Sequence, residues 1–427
     1  MMKYTLILLS ALVLFGSCEQ EFKKKVTDKK DYDKFLDTEP IQTTSKNFEL
    51  WNSKIRQDSM QLTSFGVVAG EYHRYFEGSG DIAYLKMAEQ ALKRAVDIAA
   101  IGRSGYYRAL ARNYISQHRF KEALEWANAA RAIGSGKKGS QNLLFDVHME
   151  LGNYTKAQKY LDSTKNMSDF DYLIRLAKWN DHKGDLDTTI KLMEKATKIA
   201  ENSKNESLLL WSYTNLGDYY GHAGRINDSY RHYLKALGLD AKNGYAKKGI
   251  AWIVFSHEKN PIEALRIMNA VTKTHKTPDY YLLKSEIAAY MNNDTERLFN
   301  LDMYYKLVDD ARYGSMYNMY NISLLLDDTR LYTKALELSR KEVNNRSTPE
   351  AYSYLAYSYF KNGNIKDAKK IVDEHIAGQT FEPGILLQIA QIYKASGEKS
   401  KVQEIKKELQ GAVYELGPSS KEIIRIL

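Results

Sequence analysis

Three histidines carry the first sign of chemistry in this chain. His182, His222 and His257 fall at nearly the same place, late in the first helix, of three consecutive helical repeats. Equivalent helices in such a stack lie about 10 Å apart, so two imidazoles could converge on one metal ion or one acidic group. The bland alternative is chance, because exposed helix ends tolerate histidine. Other constellations are missing: no Gly-rich loop joins strand to helix, and there is no Gly-x-Ser-x-Gly, His-Glu-x-x-His or paired-cysteine metal site. Acidic pairs such as Asp309-Asp310 and Asp327-Asp328 suit helix ends or turns better than acid–base work. These residues predict no enzyme and no cofactor.

The elements that would position the histidines are helices. Past residue 45 apolar residues recur three or four apart, only six prolines occur in the whole chain, and no alternating strand pattern appears. Self-similarity then decides the architecture. LGDYYGHAGRINDSYRHYLKAL from Leu216, LAYSYFKNGNIKDAKKIVDEHI from Leu355 and IAQIYKASGEKSKVQEIKKEL from Ile389 share an apolar residue, then Gly or Ala, then Tyr220, Tyr359 or Tyr393, then Gly224, Gly363 or Gly397. This resembles the tetratricopeptide repeat, a helix–turn–helix unit of about 34 residues. A small residue lets the two helices approach closely, the glycine closes their turn, and each pair leaves an apolar side for the next to cover.

With the small position as marker, the repeats read Ala69, Ala111, Phe145, Ala177, Gly217, Trp252, Ser285, Ser323, Ala356 and Ala390. The gaps from Ala111 to Phe145 and from Ala356 to Ala390 are both 34. The expected fold is therefore all-α: an α-solenoid, coiled as a right-handed superhelix of about ten repeats over residues 46–411, with 412–427 as a capping segment.

The resemblance implies a concave groove lined by the first helices. Its groove positions here carry Arg108 and Arg112, then Asn142 and Asp146, then Ile174 and Lys178, then Thr214 and Asp218, with Tyr357 in a later repeat. Relatives that grip a C-terminal carboxylate place Lys and Asn there, so that clamp is absent. His182, His222 and His257 would line the same groove. Tyrosine is abundant, with 32 residues. Roughly half suit packing sites, while clusters such as Tyr280-Tyr281, Tyr304-Tyr305, Tyr313/Tyr317/Tyr320 and Tyr352/Tyr354/Tyr357 could offer flat amphipathic rings to a peptide or sugar.

The N-terminus speaks of address. Lys3, the apolar run Leu6 to Phe15 and small Gly16 and Ser17 have the order of a secretory signal, residues 1–17, and the run is about half the length a membrane-spanning helix needs. Leu14-Phe15-Gly16-Ser17-Cys18 resembles the lipobox of bacterial lipoproteins, which implies lipid on Cys18, the only cysteine. No disulfide and no thiol catalyst can then exist in the mature chain. Glu19 in place of Asp implies the outer membrane, and Glu19 with Glu21 looks like the acidic signal of Bacteroidota surface lipoproteins. Residues 18–45, charged and without helical period, read as a lipid-anchored flexible tether.

A formal net charge of +9 invites a nucleic-acid reading, but the 62 Lys and Arg are spread among 53 acids, and an exported protein meets little nucleic acid. The expected function is a protein-interaction scaffold of the envelope, holding a protein or peptide segment in its groove, with no small-molecule ligand expected. The alternative is a carbohydrate-binding lipoprotein of the SusD-like kind, which interrupts its repeats with a large irregular lobe.

Overall fold

The computed structural model describes residues 25–56 and 60–427, and among them every regular element is helical. Cys18 lies outside the described residues. Two short helices, α1 (Lys29–Tyr32) and α2 (Lys46–Asn52), precede ten helix pairs. The first five are α3 (Leu62–Ser79) with α4 (Ile82–Ile98), α5 (Arg103–Ser116) with α6 (Phe120–Ala132), α7 (Lys137–Glu150) with α8 (Tyr154–Asp162), α9 (Phe170–His182) with α10 (Leu186–Ser203), and α11 (Glu206–His222) with α12 (Ile226–Leu239). The second five are α13 (Gly244–Trp252) with α14 (Pro261–Thr274), α15 (Pro278–Tyr290) with α16 (Asp294–Val308), α17 (Asn318–Asp327) with α18 (Tyr332–Asn345), α19 (Pro349–Lys361) with α20 (Ile365–His375), and α21 (Pro383–Ala395) with α22 (Lys399–Gly411). Helices α23 (Val413–Leu416) and α24 (Ser420–Ile426) close the chain.

Local chemistry explains the boundaries. Four of the six prolines open helices, at Pro261, Pro278, Pro349 and Pro383, where the missing N–H would be unpaired anyway. Seven residues after the marker, nine of the ten pairs turn through a left-handed residue: glycine at 152, 184, 224, 363 and 397, and His118, Lys259, Asn292 and Arg330 elsewhere. In the first pair α3 runs a turn longer and Gly80 takes this role. The marker at Trp252 needs correction: a π-helix, Ile253–His257, inserts one residue, and the fully buried small residue there is Ala251. Small residues are needed where the helices cross, since a Cβ on either Gly217 or Gly249 would strike the ring of Tyr233.

Ten stacked pairs make an α-solenoid, and it winds tightly enough to meet itself. The amide of Lys276 donates to the carbonyl of Ser79 at 2.7 Å, and His275 Nε2 donates to the Glu77 carbonyl at 3.1 Å, 198 residues away. Ser315 Oγ reaches the His118 carbonyl across 197 residues. A Cβ on Gly152 would strike Ser347, and one on Gly184 would strike Phe381. Each contact joins the turn inside one pair to the loop ahead of the pair six places later. One superhelical turn therefore takes six pairs, and pairs seven to ten sit on pairs one to four.

Most of the tyrosine clusters serve this stacking. Tyr281, Tyr304, Tyr313 and Tyr317, each 8% exposed or less, form one core with Ile82 and Leu85 of the first pair. Tyr280 and Tyr357 are buried as well, leaving Tyr305 and Tyr320 as the exposed members of the clusters. The amphipathic rings thus bridge two turns of the solenoid, where a buried aromatic surface also needs a hydroxyl partner such as the Asn321 side chain, 2.7 Å from Tyr304 Oη.

Residues 26 to 38, expected to be part of a loose tether, are docked instead. Glu258 accepts the backbone N–H groups of Val26 and Thr27 at 2.8 and 2.7 Å. Tyr32 is 1% exposed and donates to Glu263 at 2.8 Å, while Lys29 pairs with Glu263 and Asp33 with Arg266. One aromatic anchor and a row of charge pairs fasten the segment to α12 and α14, a mode that leaves no apolar period in the sequence. At the other end, α23 reaches back to α11 and the π-helix: the Tyr414 carbonyl accepts from Trp252 Nε1 at 3.1 Å and Ser256 Oγ at 2.6 Å.

Candidate functional site

Helical spacing sets what faces the superhelix axis. The residue just after each marker, and those three or four further on, lie on one face of the first helix. From α7, α9 and α11 this brings Glu150, then Lys178, Asp181 and His182, then Asp218 and His222 to the axis. Because the second turn sits on the first, what the sequence predicts as an open groove is a channel walled on both sides.

Its first cavity, of about 490 Å³, lies between pairs three and four and pairs nine and ten. Glu150, Lys178, Asp181 and His182 face Arg346, Glu350, Tyr354, Glu382 and Gln388 across it. Lys178 pairs with Glu150 at 2.7 Å. Arg346, its side chain 6% exposed, reaches Glu342 at 3.0 Å, Glu350 at 3.3 Å and Glu150 at 3.7 Å. Desolvation opposes the charge on Glu150, yet Lys178 and Arg346 hold its carboxyl below the usual range. Asp181 and Glu382 have no such partner. Desolvation raises the Asp181 carboxyl, and desolvation with the neighbouring Glu415 and Asp181 pushes Glu382 up to about 7. His182 stacks on Tyr154 at 4.0 Å, and burial lowers its pKa.

The second cavity, of about 460 Å³, belongs to pairs five to eight and is closed by α23. Asp218 accepts from Tyr233 at 2.6 Å and Tyr245 at 2.7 Å. His222 Nδ1 meets Glu415 at 2.7 Å, and Lys248 lies 3.9 Å from Asp279. Desolvation works against a charged His222, but Glu415 outweighs it and carries the pKa up to about 9. Glu286 also lines this cavity, and desolvation pushes its carboxyl up to about 7. The two cavities adjoin where α21, capped by Glu382 of the first, touches α23, which closes the second.

The remaining residues singled out in the sequence fare differently. Arg108 lies 3.3 Å from Ser140 Oγ, and Arg112 is exposed near Asp146 and Arg175. Asp146 is taken by Arg175 at 2.6 Å, which also donates to the carbonyls of Asn142 and Asp171. Asn142 is 3% exposed and so is no groove contact. Tyr357 stands at the axis-facing place, but its ring is packed in the core and its hydroxyl donates to Gln391 at 2.8 Å, the equivalent residue of the next pair. The histidines do not converge. His182 is stacked on Tyr154, His222 is paired with Glu415, and His257 ends the π-helix. Among the described residues no group of three or more His, Cys, Asp or Glu is arranged to hold a metal ion. Glu286 was legible and overlooked: it directly follows the marker Ser285, as Lys178 follows Ala177 and Asp218 follows Gly217. Glu350 and Glu382 had no such signal, because they reach the channel only through the second turn.

A family model described as tetratricopeptide repeat matches residues 212–243, the pair α11–α12. The same helix–turn–helix unit recurs through the solenoid, so the fold is that of tandem tetratricopeptide-like repeats. It is similar to a tetratricopeptide repeat protein from Parabacteroides merdae, at 16% identity over 55% of this chain and 93% of that one, with a TM-score of 0.38. The human IFIT1 dimer with m7Gppp-AAAA is 15% identical over 72% of this chain and 70% of its own, with a TM-score of 0.47. A Rap protein complexed with Competence and Sporulation Factor is 11% identical over 61% and 80%, with a TM-score of 0.44. Comparison with curated protein sequences gives no match. No helix among the described residues is long and apolar enough to cross a membrane.

Proposed function

We propose that this protein is a non-catalytic scaffold of the cell envelope whose axial channel holds a segment of a protein partner. The observation that carries the reading is the pair of adjoining cavities, about 490 and 460 Å³, walled by first helices of both superhelical turns. A continuous concave surface of stacked first helices suits an extended or helical segment. The lipobox-like stretch around Cys18 supports a lipid anchor, and Glu19 an outer-membrane address. The charge of the chain serves solubility, and nucleic acid is no partner in this reading. Carbohydrate binding of the SusD-like kind is the weaker reading, because the ten pairs follow one another without an irregular lobe between them.

A photo-crosslinking residue placed at Gln388, inside the channel, tests this against one placed at exposed Lys407 on α22. A protein partner should crosslink at 388 and not at 407. Capture at 407 alone would move the binding surface to the outside of the solenoid.

A further inference from the structure

The channel wall has the opposite sign to the chain. Against a formal net charge of +9 overall, the two cavities are lined by eight carboxylates and only three Lys or Arg, with His222 as a fourth cation. All four cations are already engaged, by Glu150, by the Glu342/Glu350 pair, by Asp279 and by Glu415. Asp181, Glu286 and Glu382 have no hydrogen-bond or ion-pair partner for their carboxylates among the described residues. Like charges gathered along one channel repel, and a cation arriving from outside relieves that repulsion.

Two further features ask for the same chemistry. Gln388 lines the first cavity with its Oε1 shut off from solvent and no donor to fill it, an omission a folded protein rarely tolerates. Aromatic rings stand beside the acids, Tyr354 in the first cavity and Trp252 and Tyr320 in the second; ring faces attract ammonium and guanidinium groups. An unmatched carboxylate, a vacant amide acceptor and an aromatic face all suit an N–H-rich cation. A bare metal ion does not fit, because the acids are spread over two cavities and no three of them gather.

Resting on the reading that the channel holds a partner segment, we infer that this segment is basic and presents lysine or arginine side chains to the channel, one toward Asp181 and Glu382 and another toward Glu286. Two adjoining cavities favour a chain with spaced cations over a single small one.

Fluorescence anisotropy with the purified chain tests this, using three labelled synthetic peptides of equal length that differ only in carrying Lys, Gln or Glu at alternate positions. The Lys peptide should bind, weaken by about tenfold as salt rises through the range where the Debye length falls below ~10 Å, and outcompete the Glu peptide. Glu382→Gln with Glu286→Gln should cost the Lys peptide about tenfold in affinity or more, while Glu408→Gln on exposed α22 should cost nothing. Helical circular dichroism verifies that the variants are folded, and either single variant replaces the double one if it is not. Equal binding of the Lys and Gln peptides would overturn the charge preference and leave the channel as a segment holder. Spermidine displacing the Lys peptide at equal molar affinity would overturn the segment in favour of a small polyamine. Crosslinking at Gln388 to a partner without any Lys-peptide binding would refute this inference alone, and failure of both would refute the channel reading too.

Discussion

The backbone amide of Lys276 donates to the backbone carbonyl of Ser79 at 2.7 Å, tying the seventh helix pair to the first. The bond belongs to a row of contacts, not to an isolated touch: the turn at Gly152 lies on Ser347 and the turn at Gly184 on Phe381.

Two glycines separate the contribution of this row from the strain of a left-handed turn. Gly152 and Gly224 have φ of +73° and +71°, but a Cβ on Gly224 meets nothing whereas one on Gly152 meets the Ser347 carbonyl. Gly224→Ala should cost about 1 kcal/mol from backbone strain alone. Gly152→Ala should cost about 1–3 kcal/mol more through overpacking. Urea unfolding measures both, and equal losses would mean the stacked turns add nothing at this point.

His222 ties α11 to α23 through Glu415. Its folded pKa, about 9, lies above the unfolded value of about 6.5. The folded state therefore holds the proton more tightly, so the stabilisation is complete below pH ~6.5 and fades as pH rises through ~9. The His222 side chain is 40% exposed and Glu415 25%, so solvent screening limits the effect to about 1 kcal/mol. Unfolding of wild type and His222→Gln at several pH values should show a difference that shrinks from pH ~6 to ~10. A difference that grew with pH would reverse the assignment.

Tyr32 anchors the N-terminal segment. Tyr32→Ala removes a fully buried ring, a change worth about 3–5 kcal/mol at an aromatic core site. Amide exchange over residues 26–36 should accelerate to the rate of open chain while the ten helix pairs keep their protection. Unchanged exchange would show that the flanking charge pairs alone suffice.

Cys18→Ser should abolish incorporation of a fatty-acid analogue into the protein and release it from the membrane fraction. Persistence of the label would refute lipidation at this position.

The repeats were legible because each turn of the solenoid depends on a short local pattern. A small residue, then a left-handed residue seven later, suffices to place Ala177 with Gly184 or Ala390 with Gly397. One inserted residue in the π-helix Ile253–His257 displaced the marker at Trp252 for the same reason. The pitch of the superhelix was not legible, since it sums small rotations over six pairs and no single residue records it. Three misjudged features follow from that. Tyr281, Tyr304 and Tyr317 looked available because the partner surface, Ile82 and Leu85, lies some 200 residues away in sequence. Glu350 and Glu382 were overlooked because they complete a wall begun by Glu150 and Asp181. The segment holding Tyr32 looked loose because its anchors, Glu258 and Glu263, are equally remote.

An array of repeats usually changes length freely, because each unit answers only to its neighbours. Here pair n answers also to pair n + 6. Loss or duplication of a single interior unit would shift every later pair by one place against the row beneath, so that Ser347 would no longer find Gly152, nor Phe381 find Gly184. Recombination that adds or removes one unit, harmless in an open array, would here unseat an entire row at once. The number of units between the rows is therefore inherited as a single trait, and new length can be gained only at the ends.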